Sequence, residues 1–139
     1  MGEIAEIDYV KVSRLKEWHD FDFCWNGISV SLKDVDEYMR RKKKVYNLDC
    51  CDVYYLEWSK TNHLERIAYF IDYPEKITPI NLDNECSRMN IFPIPIIVDG
   101  RHRFMASIYR EDEIIPAYYC GLLSVLEYLT GKSDIKPEY

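Results

Sequence analysis

No stretch of this 139-residue chain approaches the roughly eighteen consecutive apolar residues that a bilayer span needs, so a membrane partner is not expected. The start, Met1-Gly2-Glu3-Ile4-Ala5-Glu6, lacks the basic and apolar regions of a secretory signal, and a cytoplasmic location is the expectation. The five cysteines, Cys24, Cys50, Cys51, Cys86 and Cys120, are odd in number, scattered and without a secretory signal, which argues against a disulfide framework. The adjacent Cys50-Cys51 pair lacks C-x-x-C spacing and has no second ligand pair nearby, so no structural metal is expected. An excess of basic charge is missing too. The net charge is −6 and the pI about 5.1, which disfavours a free-standing nucleic-acid binder, because phosphate neutralisation supplies most non-specific affinity. Repeats and linker-like segments are also absent.

What remains is a chain rich in core material. Hydrophobic residues make up 47% and aromatics 14%, with twelve tyrosines, enough for one well-filled domain and too short for two ordinary ones. Strand and helix signals alternate along it in an α/β pattern. Ile4 to Val12 has strand character, and Phe21 to Gly27 is an aromatic-rich segment closed by an Asn-Gly turn signal. Ser31 is a plausible N-cap for a helix over 31–44, where Leu32, Val35, Tyr38 and Met39 recur at helical spacing. That helix ends in the basic run Arg40-Arg41-Lys42-Lys43-Lys44, a solvated helix end or a nucleic-acid or partner patch. Asp52 to Trp58 reads as strand or irregular structure. Asn62, with Glu65 three residues on, signals a second helix that carries Leu64, Ile67, Ala68 and Ile71 on one face and ends at Pro74. Strands follow over Ile77 to Leu82 and Ile91 to Val98, then a helix after Gly100, a strand over Ile114 to Cys120, and a last helix over Leu122 to Thr130 with Gly131 past its end. The helix after Gly100 is expected to carry Phe104, Met105, Ile108 and Tyr109 on its buried face, with Arg103, Ser107 and Arg110 on the other.

One segment looks built for chemistry. In Pro95-Ile96-Ile97-Val98-Asp99-Gly100-Arg101-His102-Arg103-Phe104-Met105-Ala106, a strand ends in a carboxylate, turns on a glycine and enters a helix whose first turn carries Arg101, His102 and Arg103. Unpaired N–H groups and the positive end of the helix dipole lie at that same place, so Gly100 to Arg103 is an anion site in outline. The competing account is structural: Asp99 capping the helix, and Arg103 paired with Glu111 or Asp112.

The order helix, strand, strand ending in Asp99-Gly100-Arg101-His102-Arg103, helix, and a strand beginning Ile115-Pro116 resembles the ParB/sulfiredoxin-like superfamily over residues 62–120. The resemblance implies a single α/β (α+β) domain over residues 1–139, with a small mixed sheet flanked by helices and residues 1–61 as an N-terminal elaboration. Sulfiredoxins carry a reactive cysteine in a G-C-H-R turn. Arg101 stands at that position here, which removes sulfinic-acid repair. The chromosome-partition members have a helix-turn-helix domain downstream, and about twenty residues follow Tyr118 here, too few for that module. The turn is closer to the D-G-x-H-R turn of free-serine kinases and of D-G-Q-H-R proteins linked to DNA modification. Those likenesses imply a nucleotide or a nucleic-acid phosphate at Gly100, Arg101, His102 and Arg103.

Phosphoryl transfer would need cations on the phosphoryl group, a metal and a base. Arg101, His102 and Arg103 are candidates for the first. Asp99 is the candidate for holding Mg²⁺ or orienting His102, and Glu65 is a speculative second acid. The expected ligand is a nucleoside di- or triphosphate with Mg²⁺, in a phosphotransferase or a nucleotide-dependent switch. Two alternatives stand beside it: a DNA-directed nuclease or DNA-modification accessory that uses Arg40 to Lys44 as a second phosphate contact, and a non-catalytic acidic protein of a mobile element that binds a host protein. His19, beside Trp18, reads as an ordinary exposed or partly buried surface histidine, and His63 needs no function. Tyr54, Tyr55, Trp58, Tyr69, Phe70 and Tyr73 are core candidates that double as a stacking wall for a base.

Overall fold

The computed structural model describes residues 6–19, 23–25, 27–48, 58–84 and 94–137. They form a single mixed α/β domain with a four-stranded sheet, a two-stranded sheet and five α-helices. The larger sheet contains β1 (Asp8–Lys11), β4 (Ile80–Asp83), β5 (Ile96–Asp99) and β6 (Ile114–Cys120), in the order β1-β6-β4-β5. β4 and β6 run parallel, and the two outer pairings are antiparallel. Alternation sorts the two faces. Val10, Ile80, Leu82, Ile97, Ile115 and Ala117 point into the core, while Tyr9, Asn81, Val98 and Ile114 are exposed. Pro116 sits inside β6 without removing a bond from the parallel pair, because β4 and β6 meet only from Ile80 and Ala117 onwards.

The hairpin of β2 (Phe23–Trp25) and β3 (Ile28–Val30) forms the second sheet, with Gly27 at positive φ in its turn. Four helices cover the core besides the one that follows Gly100: α1 (Val12–Lys16), α2 (Leu32–Met39), α3 (Lys60–Asp72) and α5 (Leu123–Thr130). α4 (Arg101–Arg110) lies among them, packed against α3, α1, α2 and β4. Its burial is therefore wider than one amphipathic stripe. Phe104, Met105, Ala106 and Ser107 are all buried, and Ile108 and Tyr109 only partly so, which corrects the placing of Ser107 on an outer face.

Several boundaries differ from the sequence reading for local reasons. The expected first strand stops at Lys11, and Val12 opens α1 with its N–H donated to the Glu113 carbonyl. α2 ends at Met39 instead of continuing to Lys44. There the Tyr38 hydroxyl bonds both the carbonyl and the N–H of Val45, folding the chain back and sparing the helix a block of like charge. α3 starts earlier than expected. Ser59 is its N-cap, and the residue that closes the capping box is Asn62, whose side chain accepts from the Ser59 N–H. β4 starts only after Pro79, and β5 only after Pro95, since neither proline can donate to a ladder. α5 ends as expected on Gly131 in the left-handed region. Cys50, Cys51, Cys86, Tyr54, Tyr55, most of the Asp52 to Trp58 segment and Ile91 to Pro93 lie outside the described residues.

Among the described residues, no helix is long and apolar enough to cross a membrane.

Candidate anion site

The turn between β5 and α4 is held by a single close approach. Gly100 has φ +112°, and a Cβ there would lie 2.4 Å from Cγ2 of Ile80, so only glycine lets the strand pass β4 and enter the helix. Asp99 does not cap the helix, whose N-cap receives no side-chain hydrogen bond. Its Oδ2 instead accepts from Nη2 of Arg103 at 3.0 Å. The other end of that guanidinium donates to the Thr78 carbonyl (3.0 Å), the Thr78 hydroxyl (2.6 Å) and the Pro79 carbonyl (2.9 Å). Arg103 therefore ties the helix start to the chain entering β4, and Asp112 pairs with Arg110.

Beside this turn is a cleft of about 450 Å³. It brings together Gly100, His102 and Arg103 from the predicted motif, the Asp99 side of β5, and two cations that the motif does not contain, Arg66 of α3 and Lys76 of the 3-10 turn Pro74–Lys76. Leu48, Tyr69 and Phe70 add an apolar wall. Among the described residues neither Arg66 nor Lys76 forms an ion pair; Arg66 lies over the rings of Phe70 (4.6 Å) and Tyr69 (5.5 Å). Among the described residues the walls thus carry three cations against one carboxylate, in a chain of net charge −6.

Arg101 and Glu65 stand outside the cleft. Arg101 turns to the hairpin and donates to the Cys24 carbonyl at 3.1 Å. Glu65 is held above the usual carboxylate range by desolvation, opposed by the nearby Arg41 charge, so it belongs with the end of α2. The basic run is dispersed: Arg40 pairs with Asp36, Arg41 lies over the Tyr38 ring, and Lys44 pairs with Asp72.

His102 forms the inner wall and differs most from its expected role. It is 4% exposed, and burial, together with the charges of His63, Arg66, Arg101 and Arg103, holds its imidazole well below the ordinary histidine pKa. At neutral pH it is uncharged, so it cannot be the cation that the sequence suggested. Its Nε2 lies 2.9 Å from Nδ1 of His63, which is fully buried and lowered to about 4 by desolvation. The two rings are within 11° of coplanar, and both lie flat on the Trp25 indole, at 4.4 and 4.5 Å between centroids. Trp58 closes the far side at a tilt. His19 is partly buried: its Nε2 bonds the Pro95 carbonyl at 2.7 Å, and its ring meets the edge of Phe104.

The sequence carried a faint signal for part of this. His63, Arg66 and Phe70 recur at i, i+3 and i+7 on α3, one face of a helix, whereas nothing local marks Lys76 or Trp25.

Among the described residues the cleft offers one carboxylate, Asp99, as a donor for Mg²⁺. Asp99 already serves Arg103, and among the described residues no second carboxylate lines the cleft and no group of three metal-ligating side chains occurs. Comparison with family models, curated proteins and solved structures returns no match to this chain, so its functional assignment stands on this geometry.

Proposed function

We propose that the cleft binds a phosphate-bearing small molecule, with its anionic end between Arg66, Lys76 and the start of α4. The observation that carries this reading is the pair Arg66 and Lys76: two cations without carboxylate partners among the described residues, beside a committed Arg103, in an acidic chain. Concave cationic walls focus potential on an anion, and the free N–H groups of a helix start add oriented donors. Tyr69, Phe70 and Leu48 offer an apolar wall to the rest of the ligand, which suits a nucleotide. The resemblance of the Asp99 to Arg103 turn to ParB/sulfiredoxin-like turns supports the same ligand class.

Binding is better supported than catalysis. Asp99 is engaged by Arg103, His102 is buried against a second histidine, and Glu65 lies elsewhere, so no described side chain of the cleft is placed as a base for an acceptor hydroxyl. We therefore read the protein as a nucleotide- or phosphate-responsive binding domain, with any Mg²⁺ arriving on the nucleotide. A nucleic-acid track is less favoured, because three of the five basic residues 40–44 are held by Asp36, Tyr38 and Asp72.

The test is thermal unfolding with millimolar ATP, ADP or CTP and Mg²⁺. A rise of several degrees that Arg66→Ala and Lys76→Ala each remove is expected from ligand linkage. No rise with any of the three, nor with pyrophosphate, would sink the proposal.

A further inference from the structure

The imidazole pair behind the cleft wall has a consequence beyond packing. We propose that filling the cleft with an anion is coupled to uptake of one proton by the His63–His102 pair, so that the site binds more tightly as pH falls. This rests on the cleft being the anion site.

The geometry makes the pair a shared proton site. With both rings neutral, the two imidazoles hold two N–H groups on four nitrogens, one of them in the 2.9 Å contact between Nδ1 of His63 and Nε2 of His102. A proton from solvent adds a third N–H on whichever outer nitrogen was bare, and the central bond survives as a charge-assisted one. No bond need break. The Trp25 face under both rings favours a cation further, since an indole attracts positive charge at such distances.

What opposes protonation in the empty protein is burial and surrounding charge. Among the described residues the charged groups that face the pair are Arg66 from α3 and Arg101 and Arg103 from α4, while β2 and the chain before α3 present the uncharged Trp25 and Trp58. Lys76 and Asp99 are the other charged groups among the described residues of the cleft, and the Asp99 carboxylate is turned to Arg103. A dianion between Arg66 and Lys76 would cancel the field that keeps the pair neutral. His102 itself lines that cleft, so the new positive charge appears directly behind the ligand. By linkage, proton uptake on binding and tighter binding at lower pH are one statement.

Sulfate is the appropriate probe, because it stays a dianion across the range, whereas a phosphate monoester titrates near pH 6 and would mask the effect. Calorimetric titration of the full chain with sulfate, in two buffers of different ionisation heat, counts the protons taken up. Affinity about threefold higher at pH 6 than at pH 7.5 is expected, below the limit of about tenfold per pH unit for one proton. His63→Asn, which keeps an amide near the position of Nδ1, should bind as wild type does at pH 7.5 and lose the gain at pH 6.

Ring-proton NMR on the wild-type chain needs no variant to fold, and with three histidines the signals are few. Saturating sulfate should raise the titration midpoint of His63 or His102 and leave that of His19 unmoved. Sulfate binding with no proton uptake and unchanged midpoints overturns the coupling and leaves the anion site standing. Absence of sulfate binding at both pH values overturns the two together.

Discussion

Nδ1 of His63 and Nε2 of His102 lie 2.9 Å apart, joining α3 to the first turn of α4 across 39 residues of chain. Two of the chain's three histidines thus meet under one indole, and His102 lines the cleft beside Arg66, Lys76 and Arg103. That contact accompanies a neutral, buried state of a histidine read as a phosphate ligand, and the cations that line the cleft beside it are Arg66, Lys76 and Arg103.

The two arginines of the cleft are expected to fail differently. Arg103→Ala deletes bonds to Thr78, Pro79 and Asp99 from a side chain that is 11% exposed, which should cost about 2 to 4 kcal/mol in urea unfolding. Arg66→Ala should cost less than about 1 kcal/mol beyond its ring contacts and abolish the nucleotide-induced rise in Tm. Equal losses of stability in the two variants would contradict this division.

Gly100→Ala should be among the most damaging single changes in the chain. The added Cβ would meet Ile80 at 2.4 Å and the residue would sit at φ +112°, a combination worth about 3 kcal/mol or more of destabilisation. Chemical denaturation reads the loss directly. Retention of wild-type stability would mean that the β5-to-α4 turn does not pass Ile80 as described.

Ser59→Ala should lower stability by about 1 kcal/mol, because it removes the oxygen that accepts from the Asn62 N–H at the start of α3. If Asn62 were itself the N-cap, as its spacing to Glu65 suggests, the serine change would be silent.

Stability should fall as pH drops below neutrality, and the histidine pair sets the sign. Both imidazoles are held below their ordinary value in the folded state, His63 at about 4, so the unfolded chain takes up protons first as pH falls through 6.5. Their contribution is complete above pH 6.5 and is lost progressively towards pH 4. Urea midpoints at pH 7 and pH 5.5 should differ in the wild type and differ less in His63→Asn. An unchanged pH dependence in that variant would show that the pair is not buried neutral.

Much of the architecture follows from local chemistry. The prolines at 79 and 95 delay β4 and β5, Gly131 ends α5, Gly100 permits the turn, and alternation in Ile114 to Cys120 makes β6. These are short-range rules, acting through φ preference, missing donors and side-chain period. The Asp99 to Arg103 turn was legible for the same reason, as a strand, a glycine and a cationic helix start.

Which of those cations faces a ligand was a different kind of question. Arg101 is drawn to the Cys24 carbonyl and Arg103 to Thr78 and Pro79, partners 77 and about 25 residues away, and no spacing rule within the motif reaches that far. The charge state of His102 likewise depends on burial under Trp25 and on guanidiniums from two helices, a sum over space that the sequence does not order. The sequence by itself determined that a glycine-hinged, cationic strand-to-helix turn would form within a small α/β domain. Tertiary packing decided that Arg66 and Lys76 would face the cleft, because desolvation and pairing depend on which elements touch and not on their order in the chain.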